Sequence, residues 1–170
     1  SCSSSLMIYF SQLLSFNNSE NHDYKPSYSS FSLEQCLNAI HSTLKTNLTS
    51  NKNTLKIHID EHLPQIIHTD HHALFRLIFN LLSNACKFTQ QGSITLHCTL
   101  DQQETNSSPR LNITVEDTGI GISEAHLPHI FDRFYRISPA NRENYPGKGL
   151  GLTIVQQIIA HLDGNISVTS

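Results

Sequence analysis

Asp70-His71-His72-Ala73-Leu74-Phe75-Arg76-Leu77-Ile78-Phe79-Asn80-Leu81-Leu82-Ser83-Asn84-Ala85-Cys86-Lys87-Phe88 is the stretch from which the fold can be read. Asp70 precedes a helix over about residues 73–88. At about 100° per residue, Leu74, Ile78, Leu81, Leu82 and Ala85 gather on one side, which makes a face for burial. Asn80, Asn84 and Lys87 fall within about 60° of one another on the other side. Polar residues on such a face are commonly just solvated. Asparagine is a poor helix former, however, so two of them one turn apart ask for a further reason.

Downstream of that helix, Ile94, Leu96, Cys98 and Leu100 alternate with polar neighbours, and Leu111, Ile113 and Val115 do the same. Both runs predict half-buried strands, joined by the polar residues 101–109 as a hairpin connection. The second strand delivers Glu116 and Asp117 to its C-terminal end, followed by Thr118-Gly119-Ile120-Gly121. Ser123 can cap a short helix, and Pro128 makes the chain irregular as far as Phe131. Residues 137–146 form a polar loop with two prolines, predicted as a mobile flap. A last helix is expected over about 150–162, with Ile154, Val155, Ile158, Ile159 and Leu162 as its apolar stripe and Asp163-Gly164 as its end. Ile166 and Val168 then begin a strand.

Upstream, Leu55, Ile57 and Ile59 alternate as a strand ending near Pro64, and Ile66 and Ile67 suggest a short second piece. Before it, Ser32 is placed to cap a helix whose apolar residues Leu33, Cys36, Leu37, Ile40 and Leu44 recur at three and four. Leu6, Phe10, Leu13 and Leu14 have helical spacing, and residues 15–30 turn polar as a linker. Helices mixed with largely antiparallel strands favour an α+β fold. The expectation is a two-layer sandwich, one mixed and mostly antiparallel sheet covered on one face by helices.

Composition narrows the function. The 170 residues are 38% hydrophobic, enough for one substantial core. A net charge of −3 supplies no general basic field for nucleic acid or an anionic membrane. The four cysteines lie far apart with no CxxC pair, which fits a reduced, cytosolic domain. Any membrane anchor of a parent protein would lie outside these residues. The patch His68-Thr69-Asp70-His71-His72 lacks a second cluster to complete a four-ligand zinc site, so it is read as an exposed helix entrance without metal.

Two more segments complete an ordered set with Asn80–Phe88 and Asp117–Gly121. They are Ile130-Phe131-Asp132-Arg133-Phe134-Tyr135-Arg136 and Gly147-Lys148-Gly149-Leu150-Gly151. No Gly-x-Gly-x-x-Gly follows an early strand, and Gly147-Lys148 lacks both the upstream glycine and the following Ser or Thr of a phosphate loop. What the set resembles is the catalytic ATP-binding domain of a sensor histidine kinase. That superfamily also holds gyrase, a heat-shock chaperone and mismatch-repair ATPases. The four segments match its N box, first glycine box, F box and second glycine box. The resemblance covers about residues 31–170, and residues 1–30 resemble the end of the kinase's dimerisation helix hairpin and its linker. The family continues past the last strand here into a third glycine segment and a final strand, and the start lacks Met, so the chain is expected to be cut from something longer.

The resemblance implies ATP and Mg2+ as ligands, and the residues suit them. A strand-end carboxylate at Asp117 can accept the adenine amino proton and select adenine over guanine. Gly119 and Gly121 would let the backbone come close to the base, and Phe88 would pack on its face. Taken singly, Asp117 also suits the opening of an ordinary turn and Phe88 an ordinary core position. Asn84 offers magnesium an amide oxygen, with Asn80 near the phosphates or a metal-bound water and Lys87 adding charge. Gly147, Gly149 and Gly151 would bring helix N–H groups to phosphate oxygens, with Leu150 anchoring the turn. Lys148, where the family has a small residue, either touches phosphate or points to solvent. Phe131 and Phe134 are expected to hold the flap's base, and Arg133 or Arg136 to reach the γ-phosphate.

Relatives that hydrolyse ATP carry Glu where this chain has Asn80, and an amide is no general base at neutral pH. The expected reaction is therefore γ-phosphoryl transfer to a histidine on the parent's own dimerisation hairpin, not hydrolysis. No histidine of this chain has the hairpin's sequence context, so the fragment should bind ATP without phosphorylating itself. The resemblance also implies a homodimeric parent and a response-regulator receiver domain as partner. Rival readings are an ATP-driven clamp ATPase, a nucleotide-sensing module without catalysis, and a serine-directed kinase.

Overall fold

Strands β1 (Ser4–Ser11) and β2 (Tyr28–Ser32) lead into helix α1 (Leu33–Ser50), strands β3 (Thr54–Ile59) and β4 (Ile66–Asp70), and helix α2 (His71–Phe88). Strands β5 (Ser93–Asp101) and β6 (Arg110–Asp117), helix α3 (Gly151–His161) and strand β7 (Gly164–Thr169) follow. A 3-10 turn covers Leu127–His129. The computed structural model describes residues 4–11, 26–101, 109–135 and 151–170. The hairpin connection and the flap of the sequence reading therefore lie outside the described residues, the former almost wholly.

The alternation in β5 and β6 becomes a sheet with one apolar face. Ile94, Leu96 and Cys98 are fully buried, and Leu111, Ile113 and Val115 are buried opposite them. The antiparallel register pairs Leu96 with Val115 and Cys98 with Ile113. β3 joins β5 in parallel, and the five-stranded order is β3-β5-β6-β1-β7. The other face carries Lys56, His58, Thr95, His97, Thr99 and Glu116, with His58 and His97 stacked at 5.0 Å. This is the expected α+β sandwich, with helices on one side of a mixed, mostly antiparallel sheet.

α1 and α2 each start where the sequence supplies a cap. Ser32 Oγ accepts from the Gln35 amide at 3.2 Å, and Leu33, Cys36, Leu37, Ile40, Leu44 and Leu48 of α1 are buried. Asp70 is wholly buried and accepts from the Ala73 amide at 3.0 Å and the Ser27 amide at 3.1 Å. α2 touches the sheet, α1 and α3. Its buried face is consequently wider than one stripe and adds Ala73, Leu77 and Cys86 to the expected set. Each fully buried Leu or Ile on it contributes about 1.5–3 kcal/mol. On α3, Val155, Ile158 and Ile159 are buried, with Leu162 just past its end, and Ile154 is half-buried. Asp163, at φ 52°, makes the left-handed exit before Gly164 opens β7.

Two expectations for the first thirty residues need correcting. Residues 4–11 are a strand in the main sheet, antiparallel to both β6 and β7, and not the tail of a helix. Leu6, Ile8 and Phe10 also alternate with period two, and their register partners on β6 are Val115, Ile113 and Leu111. A ladder on both sides satisfies the backbone groups that a helix would satisfy internally. Residues 28–30, the end of the expected linker, belong to β2, which pairs with β4 as a separate two-stranded sheet. His68 of the histidine patch belongs to that sheet, where its Nδ1 lies 3.0 Å from Ser30 Oγ.

Candidate functional site

α2 carries both ends of the site on one face. Near its middle, Asn80 Nδ2 donates back to the Arg76 carbonyl at 2.7 Å, which sets the amide's rotamer. α3 begins alongside. A methyl group added at Gly151 would lie 3.5 Å from Asn84 Nδ2, 3.6 Å from Asn80 Oδ1 and 3.7 Å from Asn84 Oδ1. The two asparagines thus border the first turn of α3, where backbone N–H groups lack intrahelical partners and the helix dipole is positive. Amide oxygens beside a helix N-terminus fit a hard, oxygen-seeking cation bound to phosphate, so the donor set suits Mg2+ with a polyphosphate.

Two turns further on, α2 meets the end of β6. The Phe88 carbonyl accepts from the Ile120 amide at 3.2 Å. Gly119 passes so near that a Cβ there would strike the Phe88 carbonyl oxygen and come within 2.8 Å of Asp117 Oδ1. Glycine is therefore required at 119 by close approach, and at 121 by conformation, since its φ is 72°. The Asp117 carboxylate is half-buried. It accepts from the Gly119 amide at 2.9 Å and from Thr89 Oγ1 at 3.5 Å. Burial pushes its pKa above the ordinary carboxylate value, while those two hydrogen bonds pull the other way. Lys87 Nζ lies 4.9 Å from the Phe88 ring centroid, within cation–π reach.

Asn80, Asn84 and Gly151 therefore meet at one end, and Phe88, Asp117 and Gly119 at the other, with Lys87 beside Phe88. Arg133 is exposed on the turn at residues 131–135. Arg136, Gly147, Lys148, Gly149 and Leu150 lie outside the described residues. Phe131 is half-buried, and its carbonyl accepts from Thr153 Oγ1 at 3.2 Å, which ties the segment to α3. Phe134 does not share that role. It is 69% exposed with φ 62°, because the chain reverses there and turns the ring outward. Tyr135 anchors the turn instead, its hydroxyl 2.6 Å from His126 Nδ1.

Sequence reasoning missed Thr89, whose hydroxyl faces Asp117. The available signal was its place directly after the last helical residue, where a fully buried hydroxyl needs a partner. It also missed Thr118, which accepts from the Ser93 amide at 3.0 Å and sits where a Cβ on Gly92 would go.

This arrangement has counterparts among known proteins. Residues 69–170 match the family described as histidine kinase-, DNA gyrase B-, and HSP90-like ATPase. The autoinducer 2 sensor kinase/phosphatase LuxQ of Vibrio vulnificus is 34% identical over 165 residues, covering 97% of this chain and 19% of LuxQ. The sensor histidine kinase RcsC of Escherichia coli is 34% identical over 168 residues, covering 99% of this chain and 17% of RcsC. The chain thus spans less than a fifth of the length of these relatives. Full-length ShkA in complex with AMPPNP shares the fold at TM-score 0.67 and 24% identity, over 81% of this chain and 27% of ShkA. The mycobacterial sensor histidine kinase MprB does so at TM-score 0.60 and 22% identity, over 81% of each chain. With that match over residues 69–170, the chain belongs to the histidine kinase-, DNA gyrase B-, and HSP90-like ATPase family.

Proposed function

We propose that this domain binds Mg-ATP along α2 and presents the γ-phosphoryl group to a histidine on a helix hairpin of the parent kinase. The observation that carries the reading is the single helix face joining two chemistries. Asn80 and Asn84 border the N-terminus of α3 at Gly151, and Phe88 borders Gly119 beside Asp117.

Each residue's part follows from its chemistry. Asp117 accepts from the adenine amino group, and Gly119 keeps the backbone close beneath the base. Phe88 stacks on the ring. Asn84 and Asn80 hold the metal and its water through amide oxygens, and Lys87 with Arg133 or Arg136 adds positive charge toward the phosphates. Gly147 to Gly151, with Lys148 and Leu150 among them, bring N–H groups to the phosphate oxygens. Bound magnesium supplies charge neutralisation on the phosphates. Asn80, an amide where a carboxylate would activate water, keeps water attack slow and favours transfer to a protein nucleophile over the clamp-type ATPase reading. The parent acts as a homodimer and passes the phosphoryl group to a response-regulator receiver domain. The sensor-kinase names of LuxQ and RcsC support that reading.

Calorimetric titration with a non-hydrolysable ATP analogue, with and without magnesium, tests the site. Asp117→Ala should abolish adenine recognition, and Asn84→Ala should remove the magnesium dependence of binding while leaving the metal-free affinity. Equal loss from both variants under both conditions would sink the assignment. Mixing the domain with a complete hairpin and radiolabelled ATP should label the hairpin. Label on this domain alone, or rapid phosphate release, would refute the transfer reading.

A further inference from the structure

We infer that Asn53 is a positioning residue for the adenine end of the site, setting the Asp117 carboxylate through Thr89. The inference rests on the nucleotide reading above. Asn53 lies outside all four segments on which that reading was built, immediately before β3.

Its environment is unusual for a surface-loop asparagine. The residue is only 9% exposed, and its backbone amide donates to the Leu48 carbonyl at 2.8 Å just after Lys52, whose φ is 53°. Both faces of the carboxamide are used. Nδ2 donates to the Thr89 carbonyl at 2.7 Å and to the Cys86 carbonyl at 3.2 Å, while Oδ1 accepts from the Gly92 amide at 3.1 Å. One side chain thus clamps the last turn of α2, its C-terminal cap and the start of β5. A buried amide with both donors and its acceptor engaged is costly to replace, because each removed partner leaves a buried backbone group unsatisfied.

The clamp leads directly to the carboxylate. Thr89 is fully buried, and holding its carbonyl fixes the peptide on which Oγ1 reaches Asp117 Oδ1. Gly92 is held where a side chain would collide with Thr118 Oγ1 and with the Thr89 methyl at 2.7 Å. Thr118 in turn follows Asp117 and pairs with Ser93. The preceding peptide carries the Phe88 carbonyl, against which Gly119 sits. Asn53 therefore governs the loop on one side of Asp117, and discrimination between bases depends on that carboxylate's placement to a few tenths of an ångström.

Asn51 is the natural control. Its Nδ2 donates to the same Cys86 carbonyl at 2.8 Å, but no hydrogen bond runs from its side chain to Thr89 or Gly92. Three variants, Asn53→Ala, Thr89→Val and Asn51→Ala, should be compared with the wild type for the dissociation constants of ATP and GTP, at a temperature where circular dichroism shows each folded. Asn53→Ala and Thr89→Val are expected to lose ATP affinity by about tenfold, the equivalent of one misplaced hydrogen bond, with little change for GTP. Asn51→Ala should lower the melting temperature and keep the ATP preference. Thr89→Val preserves shape and tests the middle link even if Asn53→Ala fails to fold. An unchanged ATP-to-GTP ratio in Thr89→Val, or in a folded Asn53→Ala, overturns the inference. A wild type with no preference for ATP over GTP would show instead that the nucleotide reading itself is wrong, and the inference would fall with it.

Discussion

The Gly119 amide donates to Asp117 Oδ1 at 2.9 Å, so the carboxylate is held by the loop that follows it. Partial burial of the same group sets up a conflict between stability and recognition.

That conflict has a pH signature. Desolvation raises the folded-state pKa of Asp117 above 3.8, and the hydrogen bonds from Gly119 and Thr89 only partly oppose it. The native state therefore binds its proton more tightly than the unfolded chain. The group's contribution to stability is full below about the unfolded value and is lost as pH rises through the folded pKa. Asp117→Asn removes that penalty, so it should melt at a higher temperature than wild type at pH 7, with the gap closing toward pH 3. Adenine binding should run the opposite way. It needs the ionised carboxylate, so calorimetric ATP affinity should weaken as pH falls through the raised pKa and show no such step in Asp117→Asn.

Gly119→Ala should cost about 1–3 kcal/mol in urea unfolding, in the range of overpacking at a site that cannot yield. The colliding atoms are the Phe88 backbone and the Asp117 carboxylate, neither of them a flexible chain end. Because the clash lies at the adenine end, base affinity should fall as well. A variant with wild-type stability and affinity would mean that the loop stands further from α2.

Asp70→Ala should destabilise the domain by about 1–2 kcal/mol, since it removes the cap of α2. For a chain of this size that is a fall of about 2–4 °C in melting temperature per kcal/mol. The loss should sit at the upper end because Asp70 is fully buried and also accepts from Ser27. Asp70→Asn keeps one acceptor and should recover part of it in the same calorimetric scan.

The thiols offer a test of the core. Burial pushes Cys36 and Cys86 up to about 11 and Cys98 up to about 12. In a Cys2→Ser background, these three should resist a thiol reagent at pH 8 in the native protein and all react in denaturant, as read by absorbance. Rapid native labelling of any of them would contradict its burial.

Much of the site was legible in the chain because its residues are local. Asn80, Asn84 and Phe88 share a helix, so a 3.6-residue period places them on one face whatever else happens. Ser32 and Asp70 announce their helices by a hydrogen bond within three residues. Phe134 was misread since an aromatic beside Phe131 looks like a second anchor, and only the backbone reversal shows it turned outward.

The sequence alone therefore determined α1, α2, the body of α3 and the β5–β6 pair, because periodicity, caps and side-chain type are short-range properties. Tertiary structure decided what depends on distant partners. It made residues 4–11 a strand between β6 and β7, a choice that spacing leaves open between periods of two and four. It brought Gly151 to the asparagines and Thr89 to Asp117. It also recruited Asn53, whose three hydrogen bonds span more than thirty residues of chain and exist only once α2 and β5 have closed around it.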